Sequence, residues 1–147
     1  MSDRVTNSVT VKGDVPSVFN VWSNFENFPN FMKYINKVTK TGPRTSRWEV
    51  AGPMGVKLEW EAETTRFDPD QRIGWNTKNH DGNITTSGEV VFAELPNEQT
   101  KVTVTMNYTI PGGKVGEAVA HIFGNPAERL EEDLHNFKDY VENGNGR

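Results

Sequence analysis

The chain has 147 residues, a formal net charge of −4, four Trp, eight Phe and no Cys. That length fits one domain, with either a solid core or a core that holds a cavity. The missing Cys excludes disulfides, thiolate metal sites and Cys nucleophiles, and the acidic balance argues against a nucleic-acid binder.

"RVTNSVTVKG" alternates loosely and is rich in Val and Thr, which predicts a first strand. Asp14 ahead of Pro16 then signals a short helix running through Trp22. From Phe19 an aromatic recurs at every third position: Phe19, Trp22, Phe25, Phe28, Phe31 and Tyr34. A straight helix turns by ~100° per residue, so this spacing would spread the rings around its circumference. A break resolves the conflict. "SNFENFPNF" carries three Asn and a Pro, and Pro29 fits the first turn of a second short helix capped near Asn27 or Phe28. Two short helices at an angle can turn most of the six rings inward.

No acidic residue falls between Glu26 and Glu49, whereas Lys33, Lys37, Lys40, Arg44 and Arg47 all do. The plain reading is a solvated basic face. The sharper one is a peripheral contact with an anionic membrane or an acidic partner.

After "TGPR" the chain reads as strands. "SRWEVAG" is short. In "VKLEWEAETTRF", Val56, Leu58, Trp60 and Ala62 share one face, and Lys57, Glu59, Glu61 and Glu63 the other. "QRIGWNTK" groups Ile73 with Trp75, and "ITTSGEVVFAEL" groups Gly88, Val90 and Phe92. "KVTVTMNYTI" sets Val102, Val104, Met106, Tyr108 and Ile110 against a Thr-rich face. One apolar and one wet face means an antiparallel sheet, and the short turn-rich connections suit a meander.

"GGKVGEAVAHIFGNPAERLEEDLHNFKDYVE" reads as a long helix. Val115, Ala118, Val119, Ile122 and Phe123 form a stripe that Leu130, Leu134, Phe137 and Val141 continue. "GNPAE" interrupts it: Gly124 stops one piece, Asn125 caps the next and Pro126 opens it, which predicts a kink. Strands followed by a helix indicate an α+β fold of about seven strands in one domain, residues 1–147, with 143–147 a frayed tail. The apolar sheet face and the helical stripe are each other's obvious partners.

Catalytic signals are sparse. His121 and His135 fall opposite the stripe, His80 lies in a turn-like segment, and no pair has metal-chelating spacing. Ser23, Ser46 and Ser87 have no identifiable base. Glu59, Glu61 and Glu63 lie on the polar strand face. Arg129 and Asp133, four apart, flank the stripe; they form either a boundary ion pair or a polar contact reaching a pocket. No catalytic residue is identified; Tyr108 is the best inward residue with a titratable hydroxyl and the first candidate if there is acid catalysis.

The chain resembles the START-like, or helix-grip (SRPBCC), superfamily, and within it the bacterial polyketide cyclase/dehydrase-type proteins. The matching stretches are "VFNVWSNFENFPNFM", "RWEVAGPMGVKLEWEAE", "IGW", "SGEVVF", "YTIPGGKVGEAVAHIFGNP" and "LEEDLHNFKDYVENG". The resemblance implies a curved antiparallel sheet gripping the C-terminal helix, with a cavity between them for lipids, polyketides or quinones. From the strands, Trp48, Trp60, Trp75, Phe92, Met106 and Tyr108 are the expected lining. Ile122, Phe123, Leu130 and Leu134 are expected from the long helix, and Phe31 from the short one. The expected function is binding of a hydrophobic small molecule or lipid, with no metal and no cofactor. The alternative is a cyclase, aromatase or dehydratase acting in the same cavity. No apolar run approaches the ~20 residues of a membrane span and "MSDRVTNSVTVK" lacks a signal-peptide core, so the expected location is the cytoplasm.

Overall fold

The fold was analysed in a computed structural model, which describes residues 2–32, 35–51, 57–78, 85–109 and 126–143, with side chains for 4–32, 35–50, 59–78, 85–107 and 128–143. Seven strands form one antiparallel sheet: β1 (Ser2–Lys12), β2 (Ile35–Lys40), β3 (Thr45–Ala51), β4 (Lys57–Asp68), β5 (Arg72–Thr77), β6 (Thr85–Leu95) and β7 (Gln99–Thr109). Their order is β1-β7-β6-β5-β4-β3-β2. The meander from β2 to β7 is thus completed by β7 returning beside β1, and β1 and β2 become the two edges. The sheet curls into a half-barrel around the C-terminal helix α2 (Pro126–Glu142), the expected helix-grip arrangement.

Between the two edges run α1 (Val15–Ser23) and a 3-10 helix, Phe25–Asn30. The second short helix therefore begins before the expected cap at Asn27 or Phe28, and it is not α-helical. Asn27 N–H donates to the Asn24 carbonyl at 3.0 Å, and Phe31 N–H to the Phe28 carbonyl at 3.1 Å. Pro29 thus occupies the second position of the turn from Phe28 to Phe31, where its fixed φ fits and its missing N–H is not needed. The break does re-aim the rings. Trp22, Phe28 and Phe31 are all buried, Trp22 meets Phe28 edge-on at 5.2 Å, and Phe25 is half-buried against Trp48. Tyr34 lies outside the described residues.

β2 is the strand the alternation does not reveal. Only Val38 of its middle is buried, because β2 is an edge strand flanked by solvent. Lys37 and Lys40 sit on it, a placement that discourages edge-to-edge pairing. In β4, a bulge between Thr64 and Arg66 shifts the register, so Phe67 rather than Arg66 joins the inward side.

The packed core lies where α2 crosses the β1 side of the sheet. Leu130, Leu134, Phe137 and Val141 are buried against Val11, Val90, Val102 and the rings of α1. Phe137 sits between Trp22 at 5.0 Å and Phe31 at 5.3 Å, edge-on to both. At the C-terminal end of α2, Glu142 accepts a hydrogen bond from the Lys12 amide at 2.9 Å and pairs with Lys138, which ties the helix to the end of β1. The described part of α2 begins at Pro126. The expected first half of the helix, its kink, and residues 52–56, 79–84 and 110–125 lie outside the described residues.

Candidate functional site

The strand registers place the inward side chains in cross-strand rows. One row runs Val5, Met106, Gly88, Trp75, Thr64. The next runs through Thr86, Thr77, Ala62 and Ser46, with Tyr108 of β7 beside Thr86. The row beyond holds Trp60, Trp48 and Val38. These rows form the concave wall on the side away from α1, and their burial is uneven. Val90, Val102 and Ile73 are sealed, whereas Trp48, Trp75 and Met106 on the same face are only half-buried.

This wall has flat aromatic surfaces. Trp48 and Trp60 stack at 6.0 Å with 12° between their planes, and Phe28 closes one side of Trp48 at 5.1 Å. Trp48 Nε1–H donates to Ser46 Oγ at 2.9 Å, which fixes the indole orientation. The Trp75 indole lies over Gly88, a bare position in β6.

Between the aromatics runs a band of hydroxyls. Ser46, Thr77 and Thr86 are 4 %, 3 % and 8 % exposed. Thr77 takes the place of a ladder residue: its Oγ1 donates to the Thr86 carbonyl at 2.9 Å and accepts from the Thr86 N–H at 2.7 Å. Thr86 Oγ1 is out of solvent with no hydrogen-bond partner.

The helix contributes Arg129 and Asp133 on the flank of its apolar stripe. Asp133 Oδ1 is buried without a hydrogen-bond partner, and Arg129 Nη1 pairs with Glu132 at 3.6 Å. Burial pushes the Asp133 carboxyl from its ordinary 3.8 up to about 7; the Arg129 charge opposes this rise and Glu132 adds to it. Asp133 can therefore give or take a proton near neutral pH.

The expected lining residues divide into groups. Trp48, Trp75 and Met106 are half-buried, and Trp60 is buried and stacked on Trp48. Phe92, Leu130, Leu134 and Phe31 are sealed in the packed core, next to the site rather than at its surface. Tyr108 has its backbone at the expected register position, beside Thr86; its side chain, Ile122 and Phe123 lie outside the described residues. Ser46 serves as an acceptor for Trp48, and His135 is exposed. Among the described residues, no group of His, Cys, Asp and Glu could hold a metal ion.

The basic run is more neutral in space than in sequence. Arg47 pairs with Glu59 at 3.5 Å, and Lys37 lies opposite Glu49, which also accepts from Asn36 at 2.6 Å. Lys37, Lys40 and Arg44 remain exposed, and Lys33 lies outside the described residues. Among the described residues, no helix is long and apolar enough to cross a membrane. A groove of about 390 Å³ lies between the 3-10 helix and α2 around Asn30, Asn136 and Tyr140.

A family model described as polyketide cyclase / dehydrase and lipid transport matches residues 11–134. An uncharacterized 17.2 kDa protein of Streptomyces lincolnensis, from the melC2-rnhH intergenic region, is 31% identical over 139 residues, covering 95% of this chain and 89% of that one. A Deinococcus radiodurans protein of known crystal structure superposes with a TM-score of 0.77 at 29% identity, covering 97% of this chain and 98% of that chain. The Zhui aromatase/cyclase from a Streptomyces species shares the fold, with a TM-score of 0.75 at 17% identity over 97% of this chain and 94% of that chain.

Proposed function

The chain belongs to the polyketide cyclase/dehydrase and lipid transport family, and on that premise we propose that it binds a hydrophobic small molecule or lipid between the concave sheet and α2. The observation that carries this reading is the half-burial of Trp48, Trp75 and Met106 on a face where Ile73, Val90, Val102 and Val104 are sealed. Indoles and a thioether left facing an inner hollow lose packing contacts that an apolar guest would restore. Native mass spectrometry of the purified protein, combined with displacement of a hydrophobic dye, tests the reading. Saturable binding of one dye per chain is expected. The absence of both a co-purifying ligand and dye binding would overturn it.

A second reading, a cyclase-, aromatase- or dehydratase-type enzyme in the same cavity, is favoured by one observation: the Asp133 carboxyl titrates near neutrality. The similarity in fold to an aromatase/cyclase is compatible with it. Asp133 would move the proton when a carbonyl-activated C–H bond is broken. Asp133→Asn should then abolish dehydration of a β-hydroxyketone, followed by the enone absorbance, while leaving dye binding intact. Equal rates in the two proteins, or no turnover in either, would remove this reading.

A further inference from the structure

Thr86 occupies a position where the fold asks only for a small β-branched side chain. It shares the inward side of β6 with Gly88, Val90 and Phe92. Valine has the same shape and would meet the packing requirement without a polar atom. The hydroxyl instead lies buried with Oγ1 unpartnered, which costs stability relative to a satisfied group. Its neighbour on β5 cannot donate to it, because the single Thr77 hydroxyl proton is engaged by the Thr86 carbonyl. The adjoining row is the open one, with Trp75 and Met106 half-buried on either side of Gly88.

We propose that the Thr86 hydroxyl is the polar anchor of the chamber, hydrogen-bonding an oxygen at one end of an otherwise apolar ligand. The inference rests on the binding reading above and deepens it. The chamber selects carbonyl- or hydroxyl-terminated molecules over hydrocarbons of equal shape. The flat face of Trp75, whose indole covers Gly88, offers a surface for the body of the ligand beside that anchor, and the half-buried Met106 adapts to its outline. A polar group placed at one point of an apolar wall fixes orientation, because the misoriented ligand would bury its own oxygen unpaired.

The test uses two naphthalenes of nearly equal shape, 2-acetonaphthone and 2-isopropenylnaphthalene, each displacing a hydrophobic dye from the intact protein. The wild type should prefer the ketone by about tenfold, the equivalent of one neutral hydrogen bond. Thr86→Val should erase that preference while keeping its affinity for the hydrocarbon, and Thr86→Ser should retain it. Thr86→Val should also melt no lower than the wild type, since it removes an unpartnered buried hydroxyl. A wild type that binds both compounds without preference, or a preference that survives in Thr86→Val, would overturn the anchor and leave apolar binding standing. Binding of neither compound or dye would overturn both.

Discussion

The Trp75 indole covers Gly88 so closely that a Cβ at Gly88 would stand 3.0 Å from Trp75 Cζ2 and 2.2 Å from the Thr105 carbonyl oxygen. The second distance is backbone, so a side-chain rotation cannot relieve it. A glycine inside a strand often marks such a close approach. Gly88→Ala is therefore expected to destabilise the protein by about 1–3 kcal/mol, the range for overpacking. A thermal melt would show this as a fall of roughly 5–10 °C.

Asp133 makes stability depend on pH in the direction opposite to an ordinary ion-paired carboxylate. Its carboxyl in the folded protein titrates near 7 rather than 3.8 because burial disfavours the charge. The folded state therefore holds a proton that the unfolded chain releases, and stability falls as the pH rises through that interval, levelling off above it. The loss is on the order of 3 kcal/mol. Asp133→Asn mimics the protonated form. Its melting temperature should match the wild type near pH 3, below the unfolded value, and exceed it increasingly up to pH 8.

Leu134 and Met106 separate the sealed part of the interior from the open part. Leu134 is 1 % exposed within the packed core, whereas Met106 is half-buried at the chamber wall. Leu134→Ala should cost about 2–5 kcal/mol, since a cavity opens in a close-packed region. Met106→Ala truncates a side chain that is only half-buried and should cost less than about 1.5 kcal/mol. Urea unfolding of both variants gives the comparison.

Glu142 holds the end of α2 against β1. Burial acts to raise its carboxyl, but the hydrogen bonds and charges of Lys138 and the Lys12 amide outweigh that and hold it below the ordinary value. Its contribution is present above the ordinary carboxylate range and is lost as the pH falls through the lowered value. Glu142→Gln should destabilise the protein by about 1 kcal/mol at pH 7. The difference should shrink in strongly acidic buffer, as read by denaturant midpoints.

The sheet was legible because period-2 alternation states which residues turn inward, and Trp60, Ala62, Ile73, Val90, Phe92, Val102 and Val104 all do so. β2 escaped because an edge strand with a single buried residue carries no alternation to detect. The short helix shifted because a 3-10 turn accepts Pro29 in its interior, where an α-helix accepts it only in the first turn. For the site, sequence identifies inward residues but not which of them the helix covers. Phe92, Leu134 and Trp75 look alike in the pattern, and tertiary packing decides between them: Phe92 is buried against Phe19 and Trp22 of α1 and Leu134 in the core, whereas Trp75 is left half-buried. Thr86 had a signal that went unused: it stands two residues before Gly88, in phase with Val90 and Phe92. Arg129 and Asp133 were legible as stripe-flanking charges, but the burial that shifts Asp133 is a tertiary property.

The four Trp residues allow a direct test of the chamber. Trp22 is buried among Phe28, Phe92 and Phe137, whereas Trp48, Trp60 and Trp75 belong to the concave wall. In a ¹H–¹⁵N spectrum each indole N–H gives a separate signal, so titration with 2-acetonaphthone reads all four positions at once. The signals of Trp48, Trp60 and Trp75 should move together and saturate while that of Trp22 stays in place. Movement of Trp22 alone, or no movement at any of the four, would contradict a ligand chamber between the sheet and α2.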